Sequence, residues 1–277
     1  MMTQGLVYPF VDLGLSRRLE RAEAHANTCF VEARAERSPA SGAAWVRIGG
    51  ASAMFDGVGS PITQTFGLGL FEEITSETLT RIEAFFHERG ADVDHEVSPL
   101  AAPSLFPLLG GRGYRPLEFT SVMFRPLGTV PASRLPGSGP LTVRLASSDE
   151  HQAWADTSAK GWSEFPEAAA FMADLGALVV SARDLTPFFA ELGGRPIATA
   201  GLSMSGGVAL MAGASTIPEG RKKGAQLALL EARLQHAADR GCDLAMMCAQ
   251  PGSASQRNAE RHGFRIAYTR VKWRLWA

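Results

Sequence analysis

Ala214-Ser-Thr-Ile-Pro-Glu-Gly-Arg-Lys-Lys-Gly-Ala-Gln-Leu-Ala-Leu-Leu230 decides how this chain is read. The apolar run that leads into it, Val208–Ile217, has the composition of a buried strand. Pro218 ends that strand, because it has no N–H to give to a ladder and its φ is fixed. Arg221, Lys222 and Lys223 follow, then Gly224, then a helical pattern with Leu227, Leu230, Leu234 and Ala237 on one face. A strand, a basic glycine-containing turn and a helix start together form an anion cradle. The free amides of a first helical turn and the positive end of its dipole favour phosphate, and glycine allows close approach.

The spacing excludes two common phosphate loops. A Walker loop fails because, counting from Gly220, Ala225 stands where its second glycine is required, and a dinucleotide fingerprint fails because only Gly220 and Gly224 are present. Gly67-Leu-Gly69-Leu-Phe-Glu72 lacks the third glycine of that fingerprint.

Composition places the chain among ordinary soluble globular proteins. Its 277 residues are 45% apolar with a formal charge of −1, enough for one large or two moderate domains and without the basic excess of a nucleic-acid binder. No apolar run is long enough to span a membrane and no signal pattern opens the sequence, so neither a membrane nor nucleic acid is an expected partner. Cys29, Cys242 and Cys248 fit neither a disulfide framework nor a metal-ligand spacing. The expectation is a cytoplasmic protein without a metal.

A proline- and glycine-rich segment, Pro126–Pro140, separates two halves. Those halves overlay. His87-Glu-Arg-Gly-Ala-Asp-Val93 matches Ala238-Asp-Arg-Gly-Cys-Asp-Leu244, Arg112-Gly-Tyr-Arg115 matches His262-Gly-Phe-Arg265, and Phe119–Arg125 echoes Tyr268–Arg274. The three pairs share one spacing to within two residues, each at the same place in a helix–strand–helix–strand series. Strand pairs are expected at Tyr114–Arg125 and Phe264–Leu275. The expected domains are 1–127 and 141–277, joined by a linker at 128–140. Phe71, Glu72, Glu73 and Ile74 occupy the first-half positions of Arg221 to Gly224, and two carboxylates would repel a diphosphate.

The quoted stretch resembles the cofactor loop of the GNAT acyltransferases, with Pro218, Arg221 and Gly224 matching and Gln226 in place of a small residue. Gln250–Asn258 leading into Gly263-Phe264 resembles the family's asparagine-containing turn and helix. The resemblance implies an α/β (α+β) chain of two tandem GNAT-like domains, each a mixed, mostly antiparallel sheet flanked by helices, the first a degenerate copy. It implies acetyl-CoA held by Ser215, Thr216 and Ile217 along the pantetheine arm, by Arg221, Lys222, Lys223, Gly224, Ala225 and Gln226 at the diphosphate, and by Ser255 and Asn258. Ser255 reads equally well as a helix N-cap.

The implied reaction is direct attack of a small-molecule amine on the acetyl thioester. The family's tyrosine acid is replaced by Ala259. Tyr268, Glu191, Glu164 and Glu167 remain as candidates for proton transfer, and none is singled out. Trp162, Phe165 and Phe171, with Met172, are candidates for an acceptor pocket. A catalytically inactive acyl-CoA-binding relative and a drug-modifying acetyltransferase stay open as alternatives, as do a monomer and a homodimer.

Overall fold

Asp12 opens the first helix by accepting the Leu15 amide at 2.8 Å, and α1 runs over Leu13–Arg37 with Arg34 and Arg37 facing its negative end. In the first half β1 (Ala44–Ile48), β2 (Ala51–Phe55), β3 (Gln64–Phe66), α2 (Ser76–His87), β4 (Val93–Val97), α3 (Leu105–Gly111) and β5 (Arg115–Pro126) follow. The second half holds β6 (Leu141–Leu145), α4 (His151–Lys160), α5 (Pro166–Val179), β7 (Leu185–Leu192), β8 (Arg195–Ser205) and β9 (Val208–Thr216). It ends with α6 (Ala225–Asp239), β10 (Leu244–Ala249), α7 (Ala254–Arg261) and β11 (Arg265–Leu275). The structure, a computed structural model, describes residues 6–128, 140–179 and 182–277. The expected linker at 128–140 therefore falls almost wholly outside the described residues. Among the described residues no helix is long and apolar enough to cross a membrane.

The chain is an α/β fold with mostly antiparallel sheet flanked by helices. It divides into two compact units, Met1–Pro126 with Met246–Ala277, and Leu127–Ala245. In unit 1 the strand order is β1-β2-β3-β4-β11-β5, antiparallel except for the parallel β3–β4 pair. In unit 2, β6-β7-β8-β9 form an antiparallel meander. The series α2-β4-α3-β5 recurs as α6-β10-α7-β11, as the paired sequence segments require.

Sequence expectations change in two long strands and on one face of α6. Tyr114–Arg125 and Phe264–Leu275 are each one long strand instead of a strand pair, since neither contains a turn and the two pair with each other from Arg265↔Phe124 to Arg274↔Arg115. Met246–Ala277 packs in unit 1, where β11 lies between β4 and β5. On α6, Leu229, Leu230, Leu234 and Ala237 are buried, whereas Leu227 is exposed.

Charge anchors β11. Arg270, buried, holds Glu23 on α1 through two bonds of 2.6 and 2.8 Å, Glu96 on β4 at 2.8 Å and Glu20 at 3.4 Å. Its guanidinium also faces the Phe66 ring at 5.0 Å. Tyr268 donates to Glu20 Oε1 at 2.9 Å, and Cys248 Sγ to Glu23 Oε2 at 3.2 Å.

Burial pushes the Glu20 carboxyl up to about 7 against the pull of Arg270, with Glu23 adding to the rise. The folded chain then holds a proton that the unfolded chain releases above 4.5, so stability from this group falls as pH rises from about 4.5 to about 7. The full shift corresponds to about 3 kcal/mol. Glu20→Gln keeps an oxygen for Tyr268 and removes the titration. The variant is expected to melt several degrees above the parent at pH 8, the gap closing towards pH 5 in thermal unfolding. A variant less stable at pH 8 would show that Arg270 needs Glu20 ionised.

Candidate functional site

Strand β9 ends at Thr216, and the next residues are turned inward. Ile217 donates its amide to Ile197 O at 3.0 Å and accepts from Gly220 at 2.9 Å, closing a 3-10 turn over Pro218–Gly220. Both main-chain groups of Ile217 are therefore occupied within the unit. Gly220 has no room for a side chain, because a Cβ there would meet Ile197 Cβ at 2.9 Å and its carbonyl oxygen at 3.0 Å. Arg221 closes the turn by donating its amide to Pro218 O at 3.2 Å.

Beyond Arg221 the backbone changes hand. Lys222 has φ +61 and Gly224 φ +84, two left-handed residues one apart, and Lys222 holds that conformation without being glycine. Such a turn aims successive amides at one concave surface. α6 follows with Gly224 as N-cap and no side chain capping it. Among the described residues nothing accepts from the amides of Lys222 through Leu227. Arg221 to Gly224 are exposed and Ala225 is buried beneath them. The site thus has six amides without an internal partner, at the positive end of a helix dipole and beside three cations.

The surrounding side chains brace this loop. Gln226 Nε2 donates to Thr216 Oγ1 at 2.6 Å, tying the first turn of α6 to the end of β9. Ser215, buried, donates to Ser158 O on α4 at 2.7 Å. Gly161 sits directly on this strand end: a Cβ there would lie 1.9 Å from Ser215 Oγ and 2.9 Å from the Thr216 amide. Arg221 reaches the same turn, with Nη1 2.6 Å from Glu164 Oε2 and Nη2 donating to Gly161 O at 3.4 Å. Trp162 and Phe165 on this turn are exposed, Phe171 is half-buried, and Met172 is buried.

Three of the candidates for proton transfer, Glu191, Glu164 and Tyr268, have partners. Glu191 accepts from Arg144 Nη2 at 2.7 Å, and Arg144 is shared with Glu150. Glu164 is paired with Arg221. Tyr268 is buried in unit 1, where burial first and then Glu20 raise its hydroxyl well above the usual tyrosine range. The side chain of Glu167 lies outside the described residues. Ser255 and Asn258 are exposed on α7 in unit 1. Ser255 is not the N-cap of that helix; Ser253 is, accepting from the Gln256 amide at 3.2 Å. Ala259 is fully buried, and its carbonyl accepts from Phe264 at 3.1 Å.

Sequence reading passed over Gly161 and Arg233, and took Gly220 only as one of two loop glycines without its packing against Ile197. Arg233 on α6 is buried and donates from Nη1 to Gly201 O at 3.0 Å and Ala212 O at 3.3 Å, where the β8–β9 register shifts. Burial lowers its guanidinium to about 10. Its helical spacing from the buried Leu230 and Ala237 was the available signal.

Residues 133–251 match the family model described as acetyltransferase (GNAT) domain. Among solved structures, a GCN5-related N-acetyltransferase from Kribbella flavida is similar at 20% identity and TM-score 0.58, covering 88% of this chain and 93% of that one. A GCN5-related N-acetyltransferase from Sphaerobacter thermophilus is similar at 17% identity and TM-score 0.54, over 72% of this chain and 67% of that one. A tandem GNAT protein from the clavulanic acid biosynthesis pathway is similar at 14% identity and TM-score 0.55, over 82% and 78%. No match was found among curated proteins. The chain has the GNAT fold, and within it residues 133–251 are similar to the GNAT acetyltransferase domain.

Proposed function

We propose that the second half binds acetyl-CoA and transfers its acetyl group to the amine of a small molecule in a ternary complex. The observation that carries this reading is the run of unpartnered amides from Lys222 to Leu227, bent by left-handed Lys222 and Gly224. These amides, with Arg221, Lys222 and Lys223, would hold the diphosphate. Ser215 and Thr216 would contribute main-chain groups to the pantetheine arm, with Ile217 as an apolar wall. Ser255 and Asn258 are kept as further contacts of the cofactor.

Acetyl-CoA supplies an activated acyl group. The amine nitrogen forms a bond to the acetyl carbon, the carbon–sulfur bond breaks, and the proton lost by the nitrogen ends on the thiolate. Glu191 and Tyr268 are engaged within the fold and Glu164 is paired with Arg221 in the free protein, so in the proposed reaction proximity and a water relay carry this proton. Trp162, Phe165 and Phe171 would face the acceptor.

The first half is proposed as a copy without a cofactor. Thr75 caps α2 by accepting the Thr78 amide at 3.1 Å, with Glu77 in its first turn. Phe71, under the Arg21 guanidinium at 4.2 Å, fills the space beside Gly50 and Gly67. Both features oppose an anion there. A cytoplasmic setting and a small amine acceptor, instead of nucleic acid or a membrane, complete the reading.

A second reading is a relative that binds acyl-CoA without turnover, favoured by Ala259 and by the pairing of Glu191, Glu164 and Tyr268. Acetyl-CoA at millimolar concentration is expected to raise the melting temperature, and thiol release across an amine library separates the two readings. No thermal shift would overturn both, whereas a shift without thiol release would leave the binder.

A further inference from the structure

Arg221 is the cation nearest the amide run that already has an anion. Its Nη1 lies 2.6 Å from Glu164 Oε2, and its Nη2 donates to Gly161 O at 3.4 Å. Both partners belong to the turn between α4 and α5, the turn that exposes Trp162 and Phe165. The pair is open to water, with Arg221 41% and Glu164 57% exposed, so it is held weakly and is available for exchange. Lys222 and Lys223, by contrast, are exposed with no ion pair among the described residues.

A diphosphate arriving at the amides between Lys222 and Leu227 would meet this arrangement in a defined way. It offers Arg221 more charge than one carboxylate, together with a rigid bidentate geometry for the guanidinium. Glu164 would then stand beside an added anion, and repulsion would move it off Arg221. Gly161 cannot follow freely, because its backbone is seated on Ser215 and Thr216. The movable part is the segment after it, from Trp162 to Phe165.

We propose that Glu164 is a positioning residue that competes with the diphosphate: it holds Arg221 until the diphosphate of CoA takes its place, and its departure releases the Trp162–Phe165 segment on the acceptor side. This rests on the cofactor reading above and adds to it a coupling between the cofactor loop and the acceptor turn.

The test compares the full chain with Glu164→Gln in calorimetric titrations with CoA and with S-acetylpantetheine, which lacks the diphosphate. Glu164 is exposed, so the variant is expected to fold as the parent does. Glu164→Gln should bind CoA about two- to fivefold more tightly at low salt, the gain shrinking at high salt. Binding of S-acetylpantetheine should be the same in both. Trp162 reports the release: CoA should change tryptophan emission in the parent, the free variant should already show much of that change, and Trp162→Phe should remove it. Equal or weaker CoA binding by Glu164→Gln would overturn the competition while leaving the cofactor reading intact. Absence of CoA binding in both proteins would instead overturn the cofactor reading, and this inference with it.

Discussion

Gly224→Glu is expected to abolish the rise in melting temperature that acetyl-CoA produces. With the ligand at a hundred times its Kd, the stabilisation is about 2.7 kcal/mol. For a chain of this size that is a shift of roughly 5–10 °C. Gly224 has φ +84, and the space a side chain would enter is open, with only Leu141 Cδ2 near, at 3.7 Å. Packing is therefore not what the substitution disturbs. It acts in two ways that can be separated. Any L-residue at that φ costs about 1 kcal/mol, which Gly224→Ala measures by itself. The carboxylate adds like-charge repulsion worth about 4 kcal/mol at 4 Å and surface-like screening. Gly224→Ala should keep part of the thermal shift and Gly224→Glu none of it. A full shift in Gly224→Glu would remove the amide run as the diphosphate site.

Arg270→Met should have the largest effect on folding. Its guanidinium neutralises Glu20, Glu23 and Glu96, all buried or nearly so, and only Lys272, 3.5 Å from Glu96, would remain. Removing one partner of a buried ionic cluster leaves charges that water cannot reach, at a cost of about 3–5 kcal/mol. The expected fall in melting temperature is roughly 10 °C. Arg270→Lys keeps the charge but not the fork that spans Glu23 and Glu96, and should fall in between. Adding Glu23→Gln to Arg270→Met should recover part of the loss, as coupled neighbours do. A loss below about 1 kcal/mol, the range of an exposed pair, would show that β11 is not held by this cluster.

The backbone course from Val208 to Leu230 was legible because its determinants are neighbours in the chain. Strand β9 runs over Val208–Thr216 as its apolar run requires, Pro218 ends it, and Gly224 stands where the backbone turns left-handed. Each of these follows from the conformational limits of one residue or its immediate sequence. The recurrence of one element series in both halves was visible as matched segments at one spacing.

The sequence by itself therefore determined much of the local architecture and the backbone course of one loop. Tertiary structure alone decided what the charged and hydroxyl side chains are used for, since their partners are distant. Glu191 meets Arg144 across 47 positions and Tyr268 meets Glu20 across 248, and these pairings engage the groups that composition had offered as acid or base. Tertiary structure also placed β11 in unit 1. A strand's edges are satisfied by whichever backbone lies 4.7–4.9 Å away, and nothing within its own eleven residues says which that will be.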